Sequence, residues 1–256
     1  MSDDLAFSGL KVLDASQGVA GPHCGMLLAQ HGAEVIKLEP LAGDWGRAIG
    51  KQYGQHCAHS VAFNLGKKSL ALNLKHEDGL AVARKLASKA DVILENYRPG
   101  ALTKLGLGYD SLSKDNPGLV YCSISAYGQT GPYSSRPGFG LIAEAMSGAM
   151  SIIGVPGEPP PLFRMPLADM YTGIHGVAAV CAALYGRHAS GRGQHIDLAL
   201  YDCMVSMHDF AVQAYTMSGG VELPAQTGHD MPDRSEEHTS ELQTQIDRVC
   251  RLLLEK

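Results

Sequence analysis

No run of lysines or arginines occurs in these 256 residues, and the formal net charge is −5. A nucleic-acid partner is read from a basic patch or stripe, so that class is excluded. The N-terminus, MSDDLAF, is acidic and precedes no early apolar stretch, so no secretory leader is expected. No apolar segment of bilayer-spanning length is expected, and therefore no membrane partner. The six cysteines, at 24, 57, 122, 181, 203 and 250, lie far apart, with no CxxC pair and no histidine at finger spacing. That pattern excludes a disulfide framework and a zinc finger, and it fits the reduced, mostly buried thiols of a cytoplasmic protein. The 11 histidines include no HExxH, and His23, His175 and His188 read as packed or helix-surface residues, so no metal site is expected.

Several nucleotide and hydrolase signatures are also missing. VLDASQGVAGP (12–22) places Gly18, Gly21 and later Gly25 at GxxGxxxG spacing, not the GxGxxG of a dinucleotide fold, although Glu39 stands where a ribose contact would. GKKS (66–69) lacks the upstream glycine of a phosphate loop and reads as the lead into a strand. Ser16, Ser123 and Ser125 sit in no GxSxG elbow. Cys24, near a helix start, reads as a small buried thiol.

What is present is a chain 45% hydrophobic and 18% charged, enough for one sizeable core. KVLD (11–14), EVIKL (34–38), SLALNL (69–74), DVILE (91–95), LVYCSIS (119–125) and QHIDLAL (194–200) read as strands. Helices are expected over 21–30, 77–88 and from Asp169 onward. The continuous apolar runs suit strands covered on both faces, and the repeated alternation predicts an open α/β sheet. GQTGPYSSRPGFG (128–140) and GVPGEPPP (154–161) are exposed loops suited to ligand contact.

Asp169, in PLADMYTG (166–173), opens a helical run in which Met170, Ile174, Val177, Ala178, Cys181, Leu184, Tyr185 and His188 recur near 3.6 residues and predict one buried face. An aspartate there accepts from first-turn N–H groups and feels the positive end of the helix dipole, both of which favour the ionised form. It suits a nucleophile or a helix cap, and taken alone it reads as an ordinary N-cap, because aspartate is among the preferred caps.

Longer segments reverse that reading. GAEVIKLEP (32–40), GKKSLALNLK (66–75), ENYRPGALTKLGLGYDSL (95–112), YCSISAYGQTGPY (121–133), PLADMYTG and GRGQHIDLALYD (191–202) occur in one fixed order. From about Gly9 to Gln213 the chain resembles the family III CoA-transferases, which include formyl-CoA transferases, carnitine-related CoA-transferases and α-methylacyl-CoA racemases. The resemblance implies a Rossmann-like, mostly parallel sheet forming the N-terminal part of the family's large domain. It implies Asp169 as nucleophile, acyl-CoA and a carboxylic acid as substrates, no separate cofactor, and an interlocked homodimer for the full-length protein. It places Val19 and Ala20 near the pantetheine arm, with Leu72, Lys75, Asn96, Tyr97, Arg98 and Lys104 contacting coenzyme A. Cationic and N–H donors suit its phosphates. The racemase branch carries a histidine and then an acid where Phe139 and Gly140 stand. Phe139 cannot move a proton, so transferase chemistry is expected over racemisation. Family members are longer, so this chain is expected to be an incomplete enzyme, or an inactive CoA-binding fragment. The expected domain runs over 1–233. From Arg234 the composition turns polar, and RSEEHTSELQ (234–243) resembles a translated sequencing adapter, so 234–256 is expected to be a foreign tail.

Overall fold

A computed structural model describes residues 5–208 and 210–228. The expected foreign tail, 234–256, lies outside these residues. The described residues group into two compact units, one of residues 5–147 with 164–207, the other of 148–163 with 208 and 210–228. The second unit holds a short 3-10 turn, Ala149–Ile152, and a helix, Ala211–Met217. Gln226 Nε2 donates to the Ile153 carbonyl at 3.0 Å within it.

The first unit carries the sheet. Its strands are β1 (Lys11–Asp14), β2 (Glu34–Glu39), a two-strand hairpin of β3 (Gln52–Tyr53) and β4 (His56–Cys57), β5 (Lys68–Ala71), β6 (Val92–Glu95), β7 (Val120–Ser125) and β8 (His195–Ala199). Six of these form one sheet in the order β5-β2-β1-β6-β7-β8, with every neighbouring pair parallel. The predicted strands are present in place and nearly in length, and SLALNL is shortened to end at Ala71. Chain direction across the sheet reverses between β1 and β6. In open α/β sheets a ligand crevice lies beyond the carboxyl ends of the strands at that reversal.

The helices of this unit are α1 (Ala20–Gln30), α2 (Ala58–Ala62), α3 (Glu77–Ala87), α4 (Tyr109–Asp115), α5 (Gly140–Met146), α6 (Leu167–Ser190) and α7 (Leu200–Ser206). All four residues of VILE in β6 are buried, because side chains alternate across a covered sheet. Leu13, Ile93 and Tyr121 join one core cluster with Ala83 and Ala87 of α3 and Leu112 of α4. On the other face α1 approaches so closely that a Cβ on Gly25 would stand 3.3 Å from Leu94 Cδ1.

Two expectations about α6 need correction. Its buried stripe is Ala168, Thr172, Gly173, Gly176, Val180, Ala183 and Leu184, whereas Ile174 is 52% and Tyr185 82% exposed. Of the predicted face, Leu184 alone is fully buried. Small residues win because they let two backbones approach: a Cβ on Gly173 would lie 2.9 Å from the Ala20 carbonyl oxygen, and one on Gly176 3.0 Å from Cys24 Sγ. At 24 residues and mean hydropathy 1.4, α6 is also long and apolar enough to cross a bilayer by length and composition. The core helix of an α/β unit passes the same test. Here α6 packs its small-residue stripe on α1.

Candidate active site

The loop between β1 and α1 lies at the sheet's reversal, and buried charges support it from below. Lys37, in the middle of β2, is 1% exposed. Its Nζ lies 2.8 Å from Asp44 Oδ2 and donates to the Ser16 carbonyl at 2.8 Å. Asp44 in turn accepts from the Gly18 N–H at 3.0 Å. Lys67, just before β5, pairs with Asp14 at 2.7 Å and donates to the Pro22 carbonyl. Burial alone would raise Asp14, but the charges of Lys67 and Lys37 and hydrogen bonds from Lys67 and Ser16 hold it below its ordinary value. Glu39 is likewise raised by burial and then pulled down to about 2 by hydrogen bonds from Arg47, the Asp44 N–H and Ser69. A buried ion survives only where partners compensate its lost hydration, and these do.

Across the reversal the loops after β1 and β6 are joined. The Gln17 N–H donates to Asn96 Oδ1 at 2.8 Å, and Asn96 Nδ2 returns a bond to the Gln17 carbonyl at 2.7 Å. Gln17 Nε2 donates to the Tyr97 hydroxyl at 3.3 Å. Above this pair opens a cleft of about 350 Å³, whose walls include Gln17, Trp45, Ser125, Gly138, Phe139 and Leu200. Six sequence-predicted site residues meet there: Val19, Ala20, Asn96, Tyr97, Arg98 and Asp169.

The other three do not line that cleft. Leu72 packs against the core cluster beside β5. Lys75 is exposed in a turn in which its N–H donates to Asn73 Oδ1. Lys104 is exposed on a 3-10 turn, Thr103–Leu105. Leu72 and Lys75 follow β5 on the same carboxyl edge of the sheet as the cleft.

Asp169 is the third residue of α6, not its cap; Pro166 holds the cap position and makes no side-chain cap bond. The first-turn acceptor comes from α5: Glu144 Oε1 accepts the Ala168 N–H at 3.0 Å. Helix starts leave N–H groups without intrahelical partners, and this buried one is satisfied by a neighbouring helix. The expectation that first-turn N–H groups and the dipole settle the Asp169 charge is corrected as well. Burial, and then the charge of Glu144, push its carboxyl from 3.8 up to about 6. A carboxyl raised only to about 6 still ionises at neutral pH, as a stronger base than an ordinary carboxylate. Gly140, first residue of α5, lies against it: a Cβ there would overlap Asp169 Oδ2 and stand 3.0 Å from its Cγ.

Sequence reading passed over Gln17, Trp45 and Glu144. Gln17 sits inside a loop whose glycines drew attention, and Trp45 follows no periodic run. Glu144 carried one usable signal, an acid inside the apolar stretch GLIAEAM. Among the described residues, no group of three or more His, Cys, Asp or Glu side chains is disposed to hold a metal ion.

Residues 7–238 match the model of CoA-transferase family III. The beta subunit of succinyl-CoA–L-malate CoA-transferase from Chloroflexus aurantiacus is 42% identical over 83% of this chain and 53% of its own length. The succinate–glutarate CoA-transferase of Agrobacterium fabrum is 41% identical over 89% of this chain and 58% of its own. A CaiB/BaiF family protein from Brucella suis superposes with a TM-score of 0.86 at 37% identity, over 91% of this chain and 62% of that one. The chain thus spans a little over half the length of the curated relatives it matches. On the family match, the shared sheet and the two relatives near 40% identity, this chain belongs to CoA-transferase family III.

Proposed function

We propose that the full-length protein moves coenzyme A from an acyl-CoA donor to a carboxylate acceptor, with Asp169 as the covalent nucleophile. The observation that carries this is the position of an ionisable, basic carboxylate in the cleft at the sheet's reversal, beside Val19, Ala20 and the Asn96–Arg98 loop. The Asp169 carboxylate attacks the thioester carbonyl, forming a mixed anhydride and releasing the CoA thiolate. The thiolate attacks the aspartyl carbonyl, giving an aspartyl-CoA thioester and freeing the donor acid. The acceptor carboxylate attacks that thioester to give a second anhydride and the thiolate again. Thiolate attack on the acceptor's acyl carbon then yields the new acyl-CoA and restores Asp169. One hard exchange becomes several easier ones. Backbone N–H groups of the glycine-rich segments suit the oxyanions formed on the way.

The substrate class follows the named relatives, which pair succinate or its CoA ester with malate or glutarate; dicarboxylates are the acceptors to try first. In the full-length protein we take the assembly to be a homodimer and the compartment to be the cytoplasm. Phe139 and Gly140 support transfer over racemisation, since neither offers a base or an acid to the α-carbon.

Incubation of the full-length protein with acyl-CoA and then hydroxylamine is expected to leave a hydroxamate on Asp169, read by mass spectrometry. Its yield should fall as pH drops through about 6, because the protonated carboxyl does not attack. A trapped residue other than Asp169 would end this reading. Rapid loss of an α-deuterium from a 2-methylacyl-CoA without CoA exchange would favour the racemase branch.

Gly140→Ala tests the geometry separately. Its methyl group has to displace the Asp169 carboxylate, so kcat is expected to fall roughly 10- to 100-fold, the cost of misplacing a reacting group by about 1 Å. An unchanged kcat would show that the carboxylate does not depend on that gap.

A further inference from the structure

We propose that Glu144 is a positioning residue for Asp169: from α5 its carboxylate holds the first turn of α6 through the Ala168 N–H and sets the charge that the Asp169 carboxylate feels. The inference rests on the reading of Asp169 as nucleophile. Glu144 is 2% exposed, in a helix where an acid would ordinarily face solvent. Burying a carboxylate without a partner is costly, and the partner found here is the backbone N–H of the residue next to Asp169, at 3.0 Å. Gly140 and Glu144 stand four residues apart, on one face of α5. That face therefore presents two things to the α6 start. Gly140 provides a gap that the Asp169 carboxylate fills, and one turn later Glu144 provides an anchor and a negative charge.

The chemical consequence concerns basicity. Asp169 has to act as nucleophile once in each turnover, toward the donor thioester, and is regenerated at its end. A nearby negative charge disfavours ionisation and makes the ionised form a stronger base. Burial makes the larger contribution and Glu144 the smaller one. Two other ionisable groups stand near this turn. Arg98 shares the cleft. His23 of α1 has its Nδ1 3.1 Å from the Met170 carbonyl and is held below the ordinary histidine range by burial, with Glu144 not among the charges acting on it. Changing Glu144 therefore moves the titration of Asp169 and leaves that of His23 in place.

Glu144→Gln in the full-length protein keeps an oxygen for the Ala168 N–H and removes the charge. The acid limb of kcat/KM, and of hydroxamate formation at Asp169, is expected to move to lower pH. A move of half a unit raises the relative rate on the acid side roughly threefold. Glu144→Asp retains the charge and shortens the reach, so the limb should stay while kcat falls and KM changes little. A wild-type acid limb in Glu144→Gln would overturn the proposal, leaving Glu144 a merely structural acceptor. Should Glu144→Gln fail to fold, Glu144→Asp decides alone: a displaced limb with the charge still present also overturns it. Failure of the nucleophile reading itself shows earlier and elsewhere, as absence of a hydroxamate on Asp169 in the wild type.

Discussion

Asp169→Asn is expected to abolish CoA transfer while making the fold more stable at neutral pH. An amide cannot form the anhydride, so turnover should fall by about 10³-fold or more, the scale seen when a covalent nucleophile is removed. The stability gain follows from the carboxyl's rise from 3.8 to about 6. That rise of about 2 units corresponds to roughly 3 kcal/mol. The sign is set by the raised value. The folded state prefers the protonated acid, so the penalty is absent below about pH 4, grows between 4 and 6, and is complete at 7. The asparagine variant should therefore melt several degrees higher than wild type at pH 7, with the difference closing at pH 4. Thermal melts at the two pH values, with a CoA-exchange assay, check both halves. A variant that melts lower at pH 7, or that turns over normally, would contradict the site described.

Lys67→Met is expected to act in the opposite direction and without touching the chemistry. Lys67 covers Asp14, which is 0% exposed at the end of β1. Removing one member of a buried pair costs about 3–5 kcal/mol, because the other charge loses its direct ionic partner; Ser16 and the Lys37 charge still act on Asp14. In a unit of this size that lowers Tm by roughly 6–20 °C. The loss should be partly recovered by Lys67→Met combined with Asp14→Leu, since replacing both members leaves no orphan charge. Calorimetry on the single and double variants reads this directly. A single variant within 2 °C of wild type would show that the pair is not buried as described.

The sheet was legible because its strands obey simple rules. VILE and VYCSIS are runs of β-branched and apolar residues between turn signals, and a strand covered on both faces needs nothing else. Helix faces were harder. In α6 the eye follows Ile174, Val177 and Tyr185, yet the packed stripe is Ala168, Gly173 and Gly176, residues chosen for how little space they fill. Periodicity of hydrophobicity weighs large side chains, and close helix contact weighs small ones. The site followed a similar division. Asp169, Val19, Ala20 and the Asn96–Arg98 loop meet at one cleft because their segments follow, or lead to, the carboxyl edge of the sheet. Lys75 and Lys104 were assigned by resemblance alone, and the structure leaves both outside that cleft. Lys37 and Glu144 are buried ions in otherwise apolar segments. The apolar surroundings hint at burial, but what holds each ion cannot be read locally, because the partners, Asp44 and the Ala168 N–H, are supplied from elsewhere in the chain.

The contact between α1 and α6 has a bearing on how this cleft meets molecules of different size. Ala20 at the start of one helix and Asp169 at the start of the other both line it, and the two helices meet where Gly173 and Gly176 lie against the Ala20 carbonyl oxygen, His23 and Cys24 with no room for a Cβ. Glycine has no rotamers, so this part of the gap works as a fixed gauge, without a soft coordinate along which it could widen. Adjustment to a longer or bulkier acyl group falls instead to the wall made by Trp45 and Phe139, both more than half exposed.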